Sequence, residues 1–224
     1  MKVSVTVVDY GMGNLLSVTR ALEHCGAEVK VTGLAPELES SERLVLPGVG
    51  AFPDGMRELR ERGLVEPLKA FARSGRPFLG ICLGMQMLMD ASEEFGEHEG
   101  LGILPGRVVP VPARGTDGAP HKIPHIGWSP LWPAGDDSAA WDQTILEGIP
   151  PGESAYFVHS FMAAPRRAED RLAYCRYDGQ ALSAAVRSGN LYGCQFHPEK
   201  SARAGLRMIQ NFLALSAAPS EIGS

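Results

Sequence analysis

The chain has 224 residues, 44% hydrophobic and 21% charged, which suits a globular protein with a sizeable core. Its formal net charge is −5, and Arg166-Arg167 is its one notable basic pair, so it lacks the positive stripe that phosphates require and nucleic acid is not an expected partner. No apolar run approaches the roughly 18–20 residues of a bilayer crossing, and Met1-Lys2-Val3-Ser4-Val5-Thr6-Val7-Val8-Asp9 reads as a strand rather than a signal peptide; a soluble, cytoplasmic protein with no membrane role is expected.

The first half alternates short β-branched runs with helical patterns. Val3–Val8 reads as a strand, Leu15–His24 as a helix ending near Gly26, 28–31 and 43–46 as strands, and 54–62 and 64–74 as helices. Residues 77–81 form a strand running into an apolar helix over 83–89. This spacing predicts an α/β fold built on an open, mostly parallel sheet flanked by helices. After a strand at 108–111, segments 112–124 and 128–141 are rich in Pro and Gly and read as long loops. Closely spaced runs at 155–159, 171–174, 182–186 and 192–196 predict antiparallel hairpins added to the sheet in the second half. A final helix over 202–215 and a flexible tail over 216–224 complete one domain spanning 1–215, without internal repeats.

The four cysteines, Cys25, Cys82, Cys175 and Cys194, lack the spacings of a disulfide framework or a zinc site, so neither metal nor cofactor is expected. Cys25, Cys175 and Cys194 read as small buried hydrophobes. Cys82 differs. In Gly80-Ile81-Cys82-Leu83-Gly84 it stands between strand and helix, the cysteine version of a nucleophile elbow. The flanking glycines permit a sharp turn, and the helix N-terminus favours the thiolate. A cysteine packed at a strand end would look the same in this segment alone.

Gly193-Cys194-Gln195-Phe196-His197-Pro198-Glu199-Lys200 ends a strand with a histidine and an acid two residues apart. Pro198 keeps His197 extended, and residues i and i+2 of an extended chain face one side, so Glu199 can orient the imidazole. Nucleophile, base and orienter are then Cys82, His197 and Glu199. The glycine-rich turn Leu46-Pro47-Gly48-Val49-Gly50 exposes backbone N–H groups; an oxyanion would find one donor within Gly48, Val49 and Gly50 and a second at Leu83 N–H.

With these segments, and with Asp9-Tyr10-Gly11-Met12-Gly13-Asn14-Leu15, Pro124-His125-Ile126-Gly127-Trp128 and Tyr156-Phe157-Val158-His159-Ser160, the chain resembles the class I (triad) glutamine amidotransferases from residue 1 to about 213. Within that family it is similar to the glutaminase subunits that serve histidine biosynthesis. The resemblance implies a flavodoxin-like sheet and hydrolysis of L-glutamine to L-glutamate and ammonia through a thioester on Cys82. It implies that Gln86 and Glu94 hold the amino-acid head group, with Gly50, His159 and Ser160 lining the same pocket. It also implies a heterodimer with a (βα)₈-barrel cyclase subunit, which uses the ammonia to form imidazole glycerol phosphate and an aminoimidazole carboxamide ribotide. Asn14, Pro124, Ile126, Trp128 and Lys200 match the partner-facing positions. Two departures stand out: Ser129 replaces the family's usual Asn, and 130–140 reads as a lengthened loop. Sister glutaminases share the triad but not the 124–128 and 156–160 pair. A dinucleotide-binding module is disfavoured by Leu16, which stands where a third fingerprint glycine belongs.

Overall fold

The computed structural model describes residues 2–135 and 138–217. The first half folds as β1 (Val3–Val8), α1 (Leu15–His24), β2 (Ala27–Thr32), α2 (Ala35–Glu39), β3 (Leu44–Gly48), α3 (Phe52–Glu61), α4 (Val65–Arg73), β4 (Phe78–Cys82) and α5 (Leu83–Met87). Then come β5 (Ala91–Ser92), β6 (His98–Glu99), β7 (Gly106–Pro110), β8 (His125–Pro133), β9 (Ser154–His159), β10 (Phe161–Pro165), β11 (Arg171–Tyr177), β12 (Gln180–Ser188), β13 (Leu191–Cys194) and α6 (Ala202–Ala214).

A nine-stranded sheet runs β2-β1-β3-β4-β13-β12-β11-β8-β9. Its pairs are parallel from β2 to β13 and antiparallel from β13 to β9. The expected α/β architecture is therefore present, hairpins included. A second, four-stranded sheet of order β10-β7-β5-β6 was not anticipated. Side-chain alternation along β1, β3 and β4 feeds two cores. Val5, Val7, Val45, Leu79 and Ile81 pack with Val18, Leu22, Met208 and Phe212 of α1 and α6. Val8, Leu44, Leu46 and Phe78 pack with Met56, Leu68, Phe71 and Met87 of α3, α4 and α5. A parallel sheet covered on both faces requires this two-sided burial.

Some expectations need correction. Segment 128–141 is not a loop throughout, since β8 continues to Pro133; Pro130 and Pro133 disguised a strand that carries them at the ends of its pairing with β9 and β11. The lengthened loop at 130–140 thus shrinks to the stretch after Pro133, of which 136–137 lie outside the described residues. The helix after Cys82 stops at Met87, two residues early. The tail expected at 216–224 lies, from 218 onward, outside the described residues. Among the described residues no helix is long and apolar enough to cross a membrane.

Candidate active site

Cys82 ends β4 and caps α5 with φ 55° and ψ −111°, a strained conformation for a residue bearing a side chain. Its neighbours have no room for one. A Cβ on Gly84 would collide with the Leu46 carbonyl oxygen, and a Cβ on Gly80 would lie 2.8 Å from the Gly84 backbone. The turn closes this tightly because both positions are glycine. Parallel register sets Gly48 beside Cys82, and a Cβ on Gly48 would meet the buried Tyr10 hydroxyl at 2.6 Å and Leu83 Cβ at 2.8 Å.

His197 follows β13, the strand next to β4, so Cys82 and His197 leave the sheet at one edge. Its backbone is extended at φ −96° and ψ 101°, and its N–H donates to the Tyr156 carbonyl at 2.9 Å. Pro198–Lys200 then turns as one 3₁₀ turn, so Glu199 reaches the ring from a turn and not from the extended run expected. The pairing survives: His197 Nδ1 lies 2.9 Å from Glu199 Oε1, with both side chains buried. Ser201 Oγ ties the corner, donating to the His197 carbonyl at 2.7 Å and accepting from Tyr156 N–H at 2.9 Å. Burial alone would lower the His197 pKa; hydrogen bonds and charge from Cys82 and Glu199 outweigh it and raise it to about 9.

A cavity of about 300 Å³ opens at this edge, lined by Val49, Gly50, Cys82, Leu83, Gln86, Glu94, Pro124, Val158, His159, Ser160, Phe161 and His197. Of the expected site residues, Gly48 lies behind the wall and Glu199 behind His197. Gln86 is committed at one end: its Nε2 donates to the Phe161 carbonyl at 2.9 Å and to Gln195 Oε1 at 3.0 Å. Only Gln86 Oε1, an acceptor, remains for a ligand. Glu94 Oε2 accepts from Phe52 N–H at 2.8 Å, which anchors a carboxylate at the first turn of α3 beside the cavity.

Two residues that sequence reasoning missed join this site. Gln195 Nε2 lies 3.7 Å from Cys82 Sγ; its position two residues before His197 in a strand-like run was the available signal. His125 is paired across strands with His159, and its Nδ1 lies 3.0 Å from His159 Nε2. His159 Nδ1 lies 2.9 Å from the Phe161 carbonyl, which can only accept, so that nitrogen carries the proton and Nε2 accepts from His125 Nδ1–H. His125 Nε2 in turn accepts from the Ser129 hydroxyl at 2.9 Å. Burial pulls the pKa of both rings down to about 4; at His125 the Asp178 carboxylate opposes this, and at His159 the Phe161 carbonyl does. Ser129, the departure from the family pattern, thus faces inward as the end of a relay.

The opposite face of β8 carries Ile126 and Trp128, 57% and 54% exposed. Trp128 is therefore neither a core residue nor on a loop. Its ring meets Tyr156 edge-on at 6.0 Å, and Lys200 Nζ sits 5.8 Å from the same Tyr156 ring. Pro124 bridges this face and the cavity, being exposed yet part of the cavity wall. Asn14 precedes α1, which packs against the turn bearing Lys200. The remaining cysteines are free thiols, with Cys175 and Cys194 buried and Cys25 partly so.

An elbow cysteine facing a histidine–carboxylate pair on this sheet defines a class. The family "Glutamine amidotransferase class-I" matches residues 6–215, and the chain belongs to it. Its relatives narrow the class further. The chain is similar to imidazole glycerol phosphate synthase subunit HisH 1 of Legionella pneumophila (strain Lens), 56% identical over 212 residues that cover 95% of this chain and 99% of that protein. It is also similar to subunit HisH of Syntrophotalea carbinolica, 45% identical over 209 residues covering 93% and 98%. Among solved structures, PurLQS from Thermotoga maritima shares the fold, with a TM-score of 0.71 at 21% identity, covering 95% of this chain and 98% of that one.

Proposed function

We propose that this chain is the glutaminase subunit of an imidazole glycerol phosphate synthase, hydrolysing L-glutamine and delivering ammonia to a (βα)₈-barrel cyclase. One observation carries the reading: Cys82, His197, Gln86, Glu94, His159 and Ser160 line or face a single cavity, with Glu199 bonded behind His197.

In this reading Cys82 Sγ attacks the side-chain amide carbon of glutamine. The C–N bond breaks as His197 returns its proton to the leaving nitrogen, which departs as ammonia and leaves a γ-glutamyl thioester. His197 then takes a proton from water, the hydroxide displaces the sulfur, and L-glutamate leaves. Glu199 fixes the tautomer throughout. Leu83 N–H is one oxyanion donor and an N–H of the Gly48–Gly50 turn is the other, with Val49 and Gly50 the residues of that turn that line the cavity. Gln86 Oε1 suits the substrate's ammonium, and the Glu94 carboxylate adds negative charge nearby. His159 and Ser160 form the facing wall.

Ammonia released into water would be protonated and lost, so a docked acceptor enzyme is needed. Ile126 and Trp128, with Asn14, Pro124 and Lys200, supply its apolar and polar contacts. The domain is 1–215 and works in the cytoplasm, needing neither metal nor cofactor.

Ammonia release from L-glutamine is the test. The chain alone should be slow, and the barrel cyclase with its ribotide substrate should raise the rate about tenfold or more. Cys82→Ala should abolish release under both conditions. A rate indifferent to the cyclase overturns the coupled assignment, and activity above a trace in Cys82→Ala removes Cys82 from the chemistry.

A further inference from the structure

Register brings one residue to each side of the nucleophile. β3 pairs Gly48 with Cys82, and Gly48 offers no side chain. On the other side β13 pairs Cys194 with Ile81, so the next residue, Gln195, adjoins Cys82. Gln195 is fully buried, and its Nε2 lies 3.7 Å from Cys82 Sγ. Its orientation is determined from behind. Gln195 Oε1 accepts from Gln86 Nε2 at 3.0 Å, and Gln86 is anchored by its 2.9 Å bond to the Phe161 carbonyl. The N–H end is therefore the one turned toward the sulfur. A buried amide with one end unpartnered is costly, so both contacts constrain it.

We propose that Gln195 is a positioning residue for glutamine hydrolysis: it holds the Cys82 sulfur in place and donates an N–H to its anionic form, with Gln86 setting the direction of that donor. The proposal rests on reading Cys82 as the nucleophile. A neutral thiol is a weak acceptor, whereas a thiolate is a charged one, so the bond strengthens once the proton has moved to His197. Unlike His197, the amide exchanges no proton and persists through the cycle. It also restrains a side chain mounted on a backbone with φ 55°, where ordinary rotamer preferences give little guidance. Gln86 becomes a shared element, with Oε1 open to the cavity and Nε2 steering Gln195.

The test is the pH dependence of Cys82 alkylation by iodoacetamide in the full chain, which requires no glutamine. Gln195→Glu keeps the acceptor for Gln86 and removes the donor; Gln195→Met removes both. Each should move the midpoint of the alkylation profile up by about one pH unit, the glutamate variant furthest. Glutamine turnover should fall about tenfold or more in kcat, with KM changed less than about threefold. Unchanged alkylation profiles in folded variants overturn the proposal. Should neither variant fold, the ¹⁵N-labelled side-chain amide of Gln195 in the natural chain must shift with pH in step with alkylation, and a static resonance overturns it. A natural chain that alkylates as described but releases no ammonia defeats the glutaminase reading and leaves the amide–sulfur contact standing.

Discussion

At the centre of the parallel side of the sheet the strands are short and enclosed: β3 and β4 have five residues each, all buried. On the antiparallel side β8 and β12 have nine, and β8 leaves Ile126 and Trp128 in solvent while its other face carries His125 and Ser129. The enclosed half holds Cys82, where a packed environment can sustain its strained turn. The open half holds the exposed face that the proposed function assigns to docking, backed by polar side chains that hydrogen-bond one another. The halves meet at β13, parallel to β4 and antiparallel to β12. Cys82 and His197 sit on this seam, so the proposed chemistry draws on both halves while the strained Cys82 backbone belongs to one.

The sharpest way to break this division is at the seam. His197→Ala should reduce glutamine hydrolysis at least about 10³-fold, and adding Cys82→Ala should lower it little further, because the two act as a unit; steady-state ammonia release measures both. Within the enclosed half, Gly84→Ala drives a methyl group into the Leu46 carbonyl and should cost about 3 kcal/mol in denaturant unfolding. Acid should probe the polar backing of the open half. His125 and His159 titrate at about 4 in the folded chain but near 6.5 when unfolded. The unfolded state thus binds protons first, and the stability is complete above pH 6.5 and declines toward pH 4, by several kcal/mol for the pair in unfolding titrations. His197, raised to about 9, acts in the opposite sense, its contribution fading as pH climbs from 6.5 through 9. The smallest effect is Trp128→Ala, which should weaken cyclase binding about tenfold in titration calorimetry and leave the melting temperature of the free chain unchanged.

The enclosed half was the more legible one. Its β-branched runs alternate with amphipathic helices, and Gly80 and Gly84 announce the elbow because only a close backbone approach calls for both. His197 and Glu199 were legible as a pair although the geometry differed: a 3₁₀ turn, not an extended run, brings the carboxylate to the ring. The open half was harder to read. Pro130 and Pro133 argue locally against a strand, and only pairing with β9 and β11 makes β8 one. His125 has no visible role until His159 lies across from it. Gln195 offered only its place two residues before His197, since its partner Cys82 is distant in sequence and adjacent only through register.

The relay from Ser129 to the Phe161 carbonyl has a direction. Every group donates toward the cavity, and the last acceptor also receives Gln86, which steers Gln195. Such a line admits a single arrangement of hydrogens, because the terminal carbonyl can only accept, so neither ring can change tautomer without breaking a link. The two imidazoles are thus one structural object with a single allowed state, running from beneath the exposed tryptophan strand to the cavity wall.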